Sequence, residues 1–104
     1  MTEPGGPASG RLEAVVHGRV HGVGFRVFAF GAARSLGLRG WVANEPGGRV
    51  RVVAEGPVDD LRRFAGALEA GPPAAIVDRV EETWLPASGT YATFEIRSGH
   101  HSGD

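Results

Sequence analysis

The spacing of apolar positions changes along the chain, and each change marks an element. Residues 12–18, LEAVVHG, are apolar enough for a strand. From Phe25 the spacing lengthens. Phe25, Phe28, Ala29, Ala32, Ala33 and Leu36 line one face of a helix over about 24–36. Gly37 then falls where a helix C-terminal glycine belongs. Residues 38–45, LRGWVANE, alternate like a strand, and PGG at 46–48 is a turn between two extended runs. In RVRVVAEG (49–56), Val50, Val52 and Ala54 point one way and Arg49, Arg51 and Glu55 the other, which predicts a half-buried antiparallel strand. Leu61, Phe64, Ala65 and Leu68 form a second helical stripe that starts on Asp59 and Asp60, where negative charge suits the helix dipole, and GPP at 71–73 ends it. Residues 75–85 and 93–97 are two further extended segments, separated by a loop holding Pro86 and Gly89.

The order β-α-β-β-α-β, closed by a short last strand, predicts an α+β ferredoxin-like sandwich, an antiparallel sheet with two helices on one face. At 104 residues the chain suits one domain with a single core. Residues 11–98 form that domain, and 1–10 and 99–104 read as mobile tails.

Composition narrows the functional classes. A formal net charge of -1 gives no broad positive field for nucleic acid or an anionic membrane. The strand RVRVVAEG carries no aromatic on which a base could stack, which counts against an RNA-recognition module on this topology. The absence of cysteine removes disulfides, thiolate nucleophiles and zinc-thiolate clusters and suits a reducing cytosol, so a cytoplasmic location is expected. Neither a secretory leader nor an apolar run of bilayer length is visible. Seventeen glycines exceed the usual share of roughly 7% more than twofold. Three of them fall in one stretch of nine residues.

That stretch is GRVHGVGFR, residues 18–26. It leaves a strand and enters a helix N-terminus, where N–H groups lack helical partners and the dipole is positive. Glycines let the backbone curl so that several N–H groups meet one small anion, and Arg26 adds a planar, permanently charged fork. The loop is not a Walker A motif, because Phe25 and Arg26 follow Gly24 where Lys and Ser or Thr are needed. Nor is it a dinucleotide fingerprint, since the glycine spacing is wrong and no parallel βαβ unit follows. Two readings stay open from these residues: a phosphate-sized cradle, or a tight connection with Arg26 solvated.

Taken with LGLRGWVANEPGGRVRVVAEG (36–56) and GPPAAIVDRVEE (71–82), the loop resembles the acylphosphatase family over roughly residues 12–97. The motifs that carry the resemblance are the glycine-rich loop ending in Arg26 and the G-W-V-x-N strand ending in Asn44. His21 stands where that family usually has Gln. The resemblance implies the ferredoxin-like fold and hydrolysis of acyl phosphates by a monomer, without metal or cofactor. It implies that Val20, His21, Gly22, Val23, Gly24, Phe25 and Arg26 bind the phosphoryl group, Arg26 through its guanidinium. Asn44 would position the attacking water, and the substrate's own phosphate would take the water's proton. The partner expected is a small-molecule acyl phosphate, with no nucleic acid and no membrane. The alternative on the same fold is a non-catalytic phosphate-sensing or carbamoyl-phosphate-handling module, such as the acylphosphatase-like domain of hydrogenase-maturation carbamoyltransferases.

Other residues take plainer expectations. His21 faces water, His17 is a packed or edge residue, and His100 with His101 is a weak metal signal on a tail. Trp41 packs on the sheet, Trp84 shields a sheet edge, and Phe25 and Phe28 belong to the core stripe.

Overall fold

The computed structural model describes residues 8–98. The elements are β1 (Ser9–Arg19), α1 (Phe25–Ser35), β2 (Arg39–Asn44), a single 3₁₀ turn (Pro46–Gly48), β3 (Val50–Pro57), α2 (Val58–Ala70), β4 (Ile76–Leu85) and β5 (Phe94–Arg97). The order is the one the apolar spacing predicts. Ser9 and Gly10 pair with Pro57 and Gly56, so the sheet begins two residues before the expected start of the domain. The tail residues 1–7 and 99–104, including His100 and His101, lie outside the described residues.

The five strands form one sheet in the order β4-β1-β3-β2-β5. Three pairings are antiparallel, but β5 runs parallel to β2, so the sheet is mixed at that edge. A four-residue closing strand carries no local signal of its direction, which is why the pattern gave an antiparallel sheet throughout. Leu12, Ala14 and Val16 of β1 face Ala54, Val52 and Val50 of β3 across the register, and all six are fully buried. Ala29 and Ala33 of α1 and Leu61, Phe64 and Leu68 of α2 close over this face. Phe94 of β5 completes the core, its ring 6.3 Å from Phe30 and 6.1 Å from Phe64 in tilted and edge-on contact.

α1 ends as its glycine foretells. Gly37 is left-handed at φ 71°, its N–H donates to the Arg34 carbonyl, and the N–H of Leu38 donates to that of Ala33. This crossed pair is the Schellman stop, and buried Leu38 supplies its apolar contact.

The second face of β3 departs from the half-buried expectation. Val53 is only 3% exposed and Glu55 only 5%. The segment after β4 folds back across this face. The backbone N–H groups of Ser88 and Gly89 reach Glu55, and the Tyr91 hydroxyl meets Trp41 Nε1 at 3.4 Å. Alternation in one strand cannot reveal a cover that arrives from a loop more than thirty residues later. Trp41 is half-buried beneath this cover, while Trp84 sits on the outer strand β4 and stays 42% exposed. Among the described residues no helix is long and apolar enough to cross a membrane.

Candidate active site

The site is built where β1 hands over to α1. Val20 and Phe25 are buried and fix the two ends of the loop, which leaves residues 21–24 to bridge them. Gly22 and Gly24 adopt left-handed conformations at φ 72° and 78°, and Val23 between them has negative φ. A Cβ built at either glycine meets nothing within 4 Å, so backbone conformation and not crowding calls for glycine. Backbone that alternates hand in this way can turn successive N–H groups toward one side, as it does in anion-binding concavities. Gly24 is also the N-cap of α1, and no acidic residue occupies the first turn. The N–H groups of that turn lack intrahelical acceptors, and the dipole there is positive.

Arg26 extends from that turn, and its Nη1 lies 3.5 Å from the carbonyl oxygen of Arg97 on β5. Asn44 closes β2 from the other side. It pairs with Val50, and the N–H of Glu45 donates to the Arg49 carbonyl at 2.8 Å, so the hairpin is tied immediately beyond it. The Glu45 carboxylate pairs with the Arg51 guanidinium and, at 3.7 Å, with Arg49 Nε.

A cavity of about 100 Å³ opens between these elements, lined by Val20, Gly22, Gly24, Phe25, Arg26, Val27 and Asn44. Arg26 and Asn44, eighteen positions apart in sequence, therefore share one small space. Of the seven loop residues expected to bind phosphate, five line the cavity and two do not. Val23 packs against the core instead. His21 is exposed, but its imidazole does more than face water, because Nε2 donates to the Arg49 carbonyl at 2.7 Å. Val27 was not anticipated. It falls outside the apolar stripe of α1, and the available signal was a valine beside Arg26 that packing leaves 66% exposed.

A second charged group proves to be structural. Burial is the largest single influence on Glu55 and pushes its carboxyl up. Hydrogen bonds from the backbone N–H groups of Ser88 and Gly89, from Arg11 and from the Ser88 hydroxyl outweigh it and bring the carboxyl down to about 2. His17 is mostly buried on β1, its Nε2 3.2 Å from Glu81 Oε1 on the neighbouring strand; of the two expectations it is the packed one, since β1 has a strand on each side. No cluster of three or more His, Cys, Asp or Glu side chains able to hold a metal occurs among the described residues.

Fold and site together define an α+β sandwich with a glycine-rich strand-to-helix loop beside a small cavity. The family pattern described as acylphosphatase matches residues 12–96. A relative from Mycobacterium sp. (strain KMS) named acylphosphatase is 47% identical over 87 residues, covering 84% of this chain and 93% of the relative. The crystal structure of an acylphosphatase from Bacillus subtilis superposes with a TM-score of 0.82 at 36% identity, covering 85% of this chain and 98% of that one. Full-length HypF, in its phosphate- and nucleotide-bound form, also matches, with a TM-score of 0.84 at 26% identity over 97% of this chain but 13% of HypF. The chain belongs to the acylphosphatase family, and it is an enzyme of the hydrolase class.

Proposed function

We propose that this protein cleaves the carboxyl-phosphate bond of small acyl phosphates, yielding a carboxylate and inorganic phosphate, by positioning and charge alone. The observation that carries this reading is that the left-handed glycines, Arg26 and Asn44 line one cavity. The guanidinium and the loop N–H groups hold the phosphoryl oxygens and match the charge that spreads over them as the bond breaks. The Asn44 carboxamide holds a water in line with the phosphorus, the effect of proximity and orientation. Water attacks phosphorus, the P–O bond to the acyl oxygen breaks, and the carboxylate leaves with the electron pair. A carboxylate is stable without a proton, so no general acid is required. The water's proton passes to a phosphoryl oxygen of the substrate, so no protein base is required either.

Release of phosphate from benzoyl phosphate in the presence of EDTA, with Arg26→Ala as control, tests the scheme. The expected result is turnover that is indifferent to the chelator and lost in the variant. Turnover that collapses with EDTA would overturn the metal-independent scheme. Phosphate binding without any turnover would leave the non-catalytic module as the reading.

A further inference from the structure

The mechanism above leaves His21 unused, yet the structure ties its side chain to a distant element. The Arg49 carbonyl accepts two hydrogen bonds, one from the Glu45 N–H at 2.8 Å and one from His21 Nε2 at 2.7 Å. The first closes the hairpin just beyond Asn44. The second comes from the middle of the phosphate loop, 28 residues earlier in the chain. A carbonyl oxygen has two lone pairs and can serve both donors. One oxygen thus joins the two walls of the cavity.

We propose that His21 is a positioning residue for the hydrolysis assigned above: its imidazole clips the phosphate loop to the β2–β3 hairpin and sets the spacing between the bound phosphoryl group and the water on Asn44. This rests on that functional reading. The two central glycines offer no side chain to hold the loop, and Val23 between them packs on the core. Val20, Val23 and Phe25 anchor the loop to the core, and His21 adds a hydrogen-bonded tie to the β2–β3 hairpin beside Asn44. Because the acceptor is a carbonyl, Nε2 must carry the hydrogen, and both the neutral Nε2–H tautomer and the imidazolium satisfy the contact.

The test uses the full chain with His21→Leu, which keeps bulk and removes the donor, and His21→Gln, which offers an N–H at the end of the side chain. Three quantities are read: kcat on benzoyl phosphate, the inhibition constant of inorganic phosphate, and hydrogen exchange of the loop amides by NMR without substrate. His21→Leu should lower kcat about ten-fold, in keeping with the sensitivity of in-line attack to misplacement. Phosphate inhibition should change less than about two-fold, because the cradle and Arg26 move together on the start of α1. The loop amides should exchange faster, and His21→Gln should recover kcat and exchange. Wild-type kcat in His21→Leu, or a Gln variant as impaired as the Leu one, would overturn the clip. So would a loss of phosphate affinity as large as the loss of kcat. If the wild-type protein hydrolyses no acyl phosphate, the functional reading fails. Amide exchange alone then decides the clip: faster in His21→Leu supports it, unchanged overturns it.

Discussion

Two places in this molecule bring an arginine together with glycine-rich backbone, one around a carboxylate and one around a cavity, and they lie at opposite ends of β3. At the far end the anion is the protein's own. Glu55 receives Arg11 Nη1 at 2.8 Å, the Ser88 N–H at 2.9 Å, the Ser88 hydroxyl at 2.8 Å and the Gly89 N–H at 3.0 Å. At the near end the same kinds of group, Arg26 and a glycine-rich backbone, surround a cavity. The helices repeat the contrast. α2 begins on Asp59 and Asp60, whereas the first turn of α1 has no acid. The difference teaches that similar hydrogen-bonding parts fix a loop where they enclose a carboxylate of the protein itself, and on the function proposed above serve a substrate where they line a cavity.

The contrast yields a separation of effects that mutation can test. The largest is Arg26→Ala, which removes the one charged side chain that lines the cavity among the described residues. Turnover of benzoyl phosphate should fall by at least about 10³-fold, equivalent to about 4 kcal/mol, while thermal unfolding stays near wild type. A melting temperature that falls with activity would mean that Arg26 is structural like Arg11. Asn44→Ala comes next, with kcat expected to drop about 10²-fold and the inhibition constant of phosphate to stay within a few-fold, because the amide acts on water and not on the anion. Equal losses in both would merge its role with that of the cradle.

At the far end the expected effect lies on stability. Glu55→Gln removes a buried charge held by four hydrogen bonds, while Arg11 keeps Glu13 at 2.7 Å, and should cost about 1–3 kcal/mol in urea unfolding at neutral pH, with kcat unchanged. The carboxyl sits at about 2 in the folded protein against 4.5 ordinarily, so it is depressed. Its contribution is therefore complete above the ordinary value and is lost as pH falls through about 2. Wild type and Glu55→Gln should accordingly converge in stability across that acid range, as followed by circular dichroism. The smallest effects come from the paired glycines. Gly24 and Gly89 have φ 78° and 76°, and neither would crowd a Cβ. Alanine at either position should cost about 1–2 kcal/mol of backbone strain. Gly24→Ala should also raise the inhibition constant of phosphate several-fold, whereas Gly89→Ala should leave it alone.

What the sequence revealed follows the range of each interaction. The α1 stripe, the Gly37 stop and the PGG turn are written in neighbours a few positions apart, and all three lie where the spacing puts them. The glycine-rich turn into α1 was legible for the same reason: its glycines, its helix N-terminus and Arg26 are contiguous. Asn44 became a candidate only through resemblance, since nothing local distinguishes it from a residue that ends a strand before a turn. The burial of Glu55, the parallel pairing of β5 and the reach of His21 to Arg49 each join segments 28 or more residues apart, beyond any periodicity. Val27 was hidden differently, as an apolar residue set aside because it fell off the helical stripe.

The parallel strand at the edge bears on how the molecule comes into being. β5 supplies Phe94, which touches aromatic rings from both helices, and it flanks β2, the strand that ends in Asn44. During synthesis the cradle, both helices and four strands leave the ribosome before these residues do. Until they arrive, β2 is an unprotected border and the aromatic cluster lacks its centre. Such long-range closure slows folding and makes it all-or-none, so catalytic competence is expected to appear in one late step and not to build up gradually as the chain emerges.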